Sequence, residues 1–334
     1  FTRVMTLGLV PIFGIEVLKR YMQAQHMTTP LTVAVFIAAA VNPMVLNFFM
    51  FTMGLGFEGA PVAWATVLFG MGVGLVSYLF LFSGERCAQK WSGWDREALS
   101  NWRPLLRLGL PCLGITMAEW TTFELNGVAS SFTNATDLAA YSIANQLATL
   151  AWTMVSGLTS AVCVVVGNAI GARDTKRARR AAIIGLGMVC SVAAMNSFIM
   201  VTAGPSLAAP FTTDEHVQTR IGQLAPVFAV YLFLDCLVSI VNAVSRGIGQ
   251  QTFVAALTSF CLLCVGVPIG FTGAFYFGGG VAWLMVGPSI GIAVSLVVYA
   301  WFFYKLDWDS IVPSIDTTRS NQRAAEDADP SQLV

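Results

Sequence analysis

Charge is what this sequence has least of. Of its 334 residues only 18 are Lys or Arg and 18 Asp or Glu, 11% in all, against about 25% in an ordinary soluble domain. With 56% hydrophobic residues and a mean hydropathy of +0.70, a water-soluble globule is excluded and a polytopic, all-helical membrane protein is expected. Histidine is nearly missing. His26 and His216 stand alone, so neither a transition-metal site nor a His-based triad can be assembled, and no cofactor, enzymatic activity or nucleic-acid partner is expected. The seven cysteines are scattered through apolar segments. "CLLC" at 261–264 has redox spacing but lies within an apolar run, so these thiols read as small packing groups. "GLGFEG" at 54–59 fits Gly-x-Gly-x-x-Gly without the strand that phosphate binding requires, and reads as a tight turn.

Long apolar runs are what the chain does have. Stretches of about 20 residues, enough to cross ~30 Å of hydrocarbon, are read at 31–53, 60–82, 104–131, 138–166, 181–203, 221–245, 253–277 and 281–304. A ninth, Val4 to Leu18, is too short to span unless residues before Phe1 complete it. If Lys19 and Arg20 lie inside and each helix flips side, 16 of the 18 basic residues fall on the inside, leaving Arg3 and Arg220 outside. A miscounted helix would scramble that sorting, so it supports both count and orientation. The polar stretch after Trp308 is expected to be a disordered cytoplasmic tail. Asn134-Ala135-Thr136 falls in an outside loop, as a glycan acceptor sequence close to the membrane.

An internal repeat is expected as well. "RYMQAQ", Pro43 and "GFEGAPVAW" near the start correspond to "RGIGQQ", Pro268 and "FGGGVAW" near the end. Order, spacing and sidedness agree, which implies parallel repeats about an axis along the membrane normal. The second copy has far more chain before its Arg246 than the first has before Arg20. By that analogy about three helices and part of a fourth are missing from the first copy. Between the copies, "SGERCAQKWSGWDREALSNWR" with Trp91, Trp94 and Trp102 reads as an interfacial amphipathic helix.

Three acids fall inside spans. Glu119 and Glu124 sit in "EWTTFE" with no Lys or Arg between them, and each costs roughly 2.5 to 3.5 kcal/mol at the centre of a spanning helix. Asp235 lies 11 residues before Arg246, about 16 Å deep at ~1.5 Å per residue. A buried carboxyl favours its neutral form. Such a group binds a cation in only one protonation state, which is the minimal chemistry of an exchanger. Five residues of helix leave Glu119 and Glu124 roughly 140° apart and about 7.5 Å along the axis. One is therefore expected to face a cavity and the other to be tied to neighbouring helices, with Asn126, Asn145 and Gln146 as available polar partners. Glu16, three residues from Lys19, is expected to be a structural ion pair near the inner interface.

The ordered series "QAQ" (23–25), "WSGWDREALSNW" (91–102), "EWTTFE" (119–124), "VGNAIGARDTKRARRA" (166–181), "FTTDEHV" (211–217), "SRGIGQQ" (245–251) and "GVPIG" (266–270) resembles the eukaryotic branch of the multidrug and toxin extrusion (MATE) transporters, from about Pro11 to Trp308. The resemblance implies a MATE-like fold of two six-helix bundles around a central cavity, nine of whose spans are present here. It divides the chain into the remainder of the N-lobe (1–82), a cytoplasmic linker (83–103), the C-lobe (104–306) and a cytoplasmic tail (307–334). It also implies a secondary antiporter, with no catalytic residues, that exports organic cations, drugs or toxic metabolites in exchange for protons. A sodium-coupled antiporter of the same fold is one alternative. A lipid-linked oligosaccharide flippase is another, but it would need a basic lining for pyrophosphate that no span supplies.

By the same resemblance Glu119, Glu124 and Asp235 are the coupling acids. Trp120, Phe123, Tyr141, Trp152 and Tyr231 are the aromatic candidates for a cation-binding cavity, since a ring face attracts a cation by roughly 0.5 to 2 kcal/mol; Asn145 and Gln146 are the polar ones. Two positions depart from the family pattern: Ser156 stands where many relatives have Pro, and Gln146 where animal members have Glu. A monomer in a plasma or vacuolar-type membrane is implied, with its C-terminus in the cytoplasm.

Overall fold

Nine helical rods carry the fold in a computed structural model that describes residues 2–24, 27–81, 102–308 and 311. They are α1 Thr2–Ala24, α2 Thr28–Thr52, α3 Gly59–Leu81, α4 Trp102–Ser131, α5 Ala135–Gly171, α6 Thr175–Ala208, α7 Glu215–Gly247, α8 Gln251–Tyr276 and α9 Val281–Lys305. Every apolar run of the sequence is one of these rods. Most are longer than the run that announces them, because hydropathy marks only the part in hydrocarbon. The 37 residues of α5 reach about 55 Å, well beyond a ~30 Å core. Seven of the rods are long and apolar enough to cross a membrane; α1 and α4 are not among them. In α4 the deficit has a local cause, because the helix carries Glu119 and Glu124 where its neighbours carry aliphatic residues.

Local chemistry sets the helix ends. Asn134 caps α5, its Oδ1 accepting from the Asp137 amide at 2.7 Å. Asp174 caps α6 by accepting from the Arg177 amide, and Asp214 caps α7 by accepting from the His216 amide, both at 2.9 Å; such caps satisfy amides that the first turn leaves without a partner. The Asn134 amide group also donates to Asp137 at 3.2 Å, so the acceptor asparagine of the glycan sequence is engaged in capping. The capped starts of α5 and α7 lie at one end of the bundle, where the Arg220 guanidinium pairs with Asp137.

The chain divides into two compact units, 1–101 and 102–334. In the first, α1 and α2 pack on α3 around Met22, Leu31 and Leu75. Glu16 accepts from Lys19 at 2.6 Å in α1, as its spacing suggested. In the second unit α5, α6 and α7 pack on one another, α4 lies on α5 and α8, and α9 covers α7 and α8. The contact between α8 and α9 is between backbones. A Cβ added to Gly287 would lie 2.3 Å from both the Gly266 carbonyl oxygen and the Gly270 nitrogen. Gly266-x-x-x-Gly270 thus faces Gly287-x-x-x-Gly291, the small-residue pattern that lets spanning helices approach closely.

The repeat has a backbone signature. α2 ends in a π-helical turn, Phe48–Thr52, and α8 in another, Thr272–Tyr276. After the first, the Met53 and Leu55 amides donate to the Phe48 and Phe49 carbonyls; after the second, Phe277 and Gly279 donate to Thr272 and Gly273. Glycines of positive φ follow in both, Gly54 (70°) and Gly56 (55°) in one, Gly278 (67°) and Gly280 (63°) in the other. The Val-Ala-Trp tripeptides do not share this register. Val62 comes six residues after Gly56 but Val281 directly after Gly280, so the turn and not the tripeptide marks equivalent positions. Of the expected linker 83–103, residues 83–101 lie outside the described residues and Trp102 and Arg103 belong to the first turn of α4; of the expected tail 307–334, residues 309–310 and 312–334 lie outside them.

Candidate functional site

Helical spacing brings the three acids to one cavity in the second unit. Along α4, Glu119, Trp120, Phe123, Glu124 and Gly127 fall within an arc of about 140° at ~100° per residue. On α5, Tyr141, Ser142, Asn145, Ala148, Thr149 and Trp152 form a similar stripe, and on α7 Tyr231, Leu232 and Asp235 do the same. These three faces enclose a cavity of 330 Å³. All three acids read from the sequence border it, together with every aromatic candidate and Asn145.

Glu119 and Glu124 occupy the two edges of the α4 arc, with Trp120, Phe123 and Gly127 between them. The expectation that one would turn away therefore needs correcting: the cavity takes up the whole 140° that separates them. Glu119 is half-buried, Glu124 exposed and Asp235 buried. The proposed polar partners do not engage them. Asn126 is buried and donates to the Leu284 carbonyl at 2.8 Å, tying α4 to α9. Gln146 is exposed and outside the lining, because one step along α5 from Asn145 turns it about 100° away. Among the described residues, none of the three carboxylates is hydrogen-bonded or ion-paired.

Packing fixes the aromatic walls. Phe123 meets Tyr231 edge to face with ring centroids 5.7 Å apart, and Tyr141 lies 5.9 Å from Phe228. The Trp152 indole donates to Ser239 Oγ at 3.2 Å, joining α5 to α7 below the cavity. Trp120 is held less firmly, 62% exposed at the rim. α5 runs unbroken through Ser156, whose hydroxyl donates to the Thr153 carbonyl at 2.7 Å.

Sequence reasoning missed Gly127, Ser142, Ala148, Thr149 and Leu232. A signal for two of them was present, since Ser142 and Thr149 stand three before and four after Asn145 on one helical face. Their hydroxyls donate to the carbonyls of Leu138 and Asn145 in their own helix, which leaves oxygen lone pairs free to accept. The lining therefore offers carboxylates, hydroxyl oxygens, one carboxamide and aromatic faces, and includes no Lys or Arg. Such a wall attracts cations and repels anions.

Comparisons with known proteins bear on the fold that carries this cavity. Residues 111–272, which include α4 from Pro111 through most of α8, match the MatE family model. The chain is 29% identical over 314 residues to a protein of Schizosaccharomyces pombe named as an uncharacterized transporter, covering 93% of this chain and 58% of that one. It is 27% identical over 301 residues to multidrug and toxin extrusion protein 2 of Oryctolagus cuniculus, covering 90% and 50%. The chain thus spans about half the length of the curated relatives it matches. Among solved structures, the eukaryotic MATE transporter AtDTX14 superposes with a TM-score of 0.86 at 21% identity, over 93% of this chain and 70% of that one.

Proposed function

We propose, from the MatE match over residues 111–272 and a fold shared with a MATE transporter, that the full-length protein is a secondary antiporter of the MATE family. It exports organic cations or other amphipathic compounds, drugs and toxic metabolites among them, in exchange for protons. The observation that carries this reading is the cavity of the second unit, where Glu119, Glu124 and Asp235 meet aromatic faces and no Lys or Arg is among the lining residues.

The cycle follows from elementary electrostatics. An ionised carboxylate in a low-dielectric cavity attracts a cationic cargo strongly, and the ring faces of Trp120, Phe123 and Tyr231 add to that attraction. Protonation removes the charge and with it most of the affinity, so a proton arriving from one side releases the cargo. Asp235 on α7 faces the α4 acids across the cavity. A change in its charge alters the repulsion between the two helices, which couples protonation to their packing. Glu119 and Glu124, roughly 140° and about 7.5 Å apart on α4, cannot share one proton in a tight dyad, which suits stepwise protonation. In this reading the described C-terminal unit is the coupling lobe, the chain's C-terminus is cytoplasmic, and the protein acts as a monomer in a plasma or vacuolar-type membrane.

Vesicles bearing the full-length protein test the proposal. A pH gradient imposed without sodium is expected to drive uptake of a fluorescent organic cation toward the side that supplies protons, and reversal of the gradient to reverse it. Uptake that ignores the pH gradient and follows a sodium gradient would replace protons by sodium. Full proton-driven activity in Glu119→Gln, Glu124→Gln and Asp235→Asn alike would remove these acids from the mechanism.

A further inference from the structure

A second concavity lies on another face of the same unit, away from the acids. It is a groove of 420 Å³ between α6, α7 and α9, walled by Ile183, Leu186, Val244 and Phe303, with Arg179 and Trp308 also lining it. Arg179 stands near the start of α6, while Val244 and Phe303 stand near the ends of α7 and α9. The charged residue therefore marks the end of the bundle where α6 begins. From there the groove runs along α6 to Leu186, about 10 Å at ~1.5 Å per residue, a third of the depth of a ~30 Å hydrocarbon core.

Three observations say what fits it. The walls are mostly aliphatic and aromatic, which suits an acyl chain; of the two tyrosines among them, Tyr299 already donates its hydroxyl to the Val254 carbonyl. Arg179 lines the groove itself and has no ion-pair partner among the described residues. The surrounding rim is basic: Lys176, Arg177 and Arg180 are exposed on the first turns of α6, and Lys305 at the end of α9 lies 4.4 Å over the Trp301 ring. Against these stand two acids. Asp174 is occupied as the cap of α6, and Asp307 already has a partner. Trp308 lines the groove close to this rim, where an indole belongs at headgroup level. A zwitterionic headgroup brings its own cation and gains little here. A phosphodiester of net negative charge meets a guanidinium that no described residue neutralises.

We propose that this groove is a binding site for one anionic phospholipid, its acyl chain seated along Ile183 and Leu186 and its phosphate on Arg179. The site is separate from the transport cavity and stands whether or not the acids couple to protons.

Brominated lipids test it through Trp308. The full-length protein is placed in nanodiscs in which a fixed fraction of the lipid is either phosphatidylglycerol or phosphatidylcholine with the same dibrominated chains. The part of the tryptophan quenching that Trp308→Phe removes is expected to be at least twofold larger with phosphatidylglycerol. Arg179→Gln should reduce it to the phosphatidylcholine level, Arg179→Lys should restore part of it, and Ile183→Phe, filling the groove without adding a fluorophore that reports in this assay, should lower quenching by both lipids. Equal quenching by the two lipids in the unmodified protein would overturn the proposal. So would quenching that develops only after removal of residues 312–334, which would make the acidic tail the occupant. A variant that fails to fold is recognised by its gel-filtration profile, and the comparison of two lipids on the unmodified protein does not depend on it.

Discussion

The same turn ends α2 in the first unit and α8 in the second, yet the helices around it are buried to different degrees. The most apolar stretch of α2 is 0% buried and that of α3 6%, whereas those of α8 and α9 are 39% and 50% buried. The chemistry differs in the same sense. Glu16 in the first unit is paired with Lys19 on the surface of its own helix, while Glu119, Glu124 and Asp235 of the second unit share a cavity whose lining holds no Lys or Arg. Backbone geometry is thus common to both copies; the burial figures belong to a chain that spans about half the length of its relatives, and the contrast that bears on function is the placement of Glu119, Glu124 and Asp235 around one cavity of the second unit.

The largest effect that sharpens this contrast is on transport. Replacing Asp235 by Asn keeps shape and polarity but removes the proton-linked charge, and is expected to lower proton-driven efflux at least tenfold; Glu119→Gln should do nearly as much. Glu124→Gln, at the exposed edge of the α4 arc, is expected to lose less. Glu16→Gln should leave efflux within twofold of the unmodified protein. Efflux assays under a fixed pH gradient, normalised to the amount of protein in the membrane, measure all four. A loss in Glu16→Gln as deep as in Asp235→Asn would break the distinction between the units.

Next in size is an effect on stability, and its sign should differ between α9 and α3. Gly287→Ala puts a methyl group 2.3 Å from backbone atoms of α8, and overpacking of that kind costs about 1 to 3 kcal/mol. Gly70 of α3 has no described atom within 4 Å of an added Cβ, so Gly70→Ala should stabilise its helix by roughly 0.5 to 1 kcal/mol. Thermal unfolding of the detergent-solubilised protein, followed with a thiol-reactive dye, reports both. Destabilisation by Gly70→Ala would show that another part of the full-length protein packs on that face of α3.

Much of this architecture is legible in the sequence, for reasons that particular residues show. Spans can be read because a run such as Val281 to Tyr304 has to satisfy lipid along its length, whatever it packs against. Asp235 stands out because an acid amid Leu and Val has few structural uses in hydrocarbon. What the sequence conceals is direction. Helical arithmetic places Glu119 and Glu124 140° apart but does not say that one cavity spans that arc, since this depends on where α5 and α7 lie. Gln146 misled for a related reason. Its type suited the site, but its face was settled by the packing of Tyr141, Ala144 and Ala148 into the core. The π-helical turns left no compositional trace, because their extra residue is accommodated by backbone hydrogen bonds and not by a residue type.

The smallest effect probes the shared turn itself. Gly54 and Gly278 hold nearly the same positive φ, 70° and 67°, and neither has an atom within 4 Å of an added Cβ. Crowding therefore plays no part, and substitution by alanine exposes only the backbone penalty of the left-handed region, about 1 to 2 kcal/mol. Gly54→Ala and Gly278→Ala are expected to lower stability by equal amounts, within about 0.5 kcal/mol of each other, and to add when combined, because sites without shared contacts act independently. Thermal unfolding of the two single variants and the double variant measures this. A clearly larger penalty at Gly278 would mean that the turn of the buried copy is held by its surroundings more rigidly than that of the exposed copy. In that case the likeness of the two turns would extend to their geometry and not to their energetics.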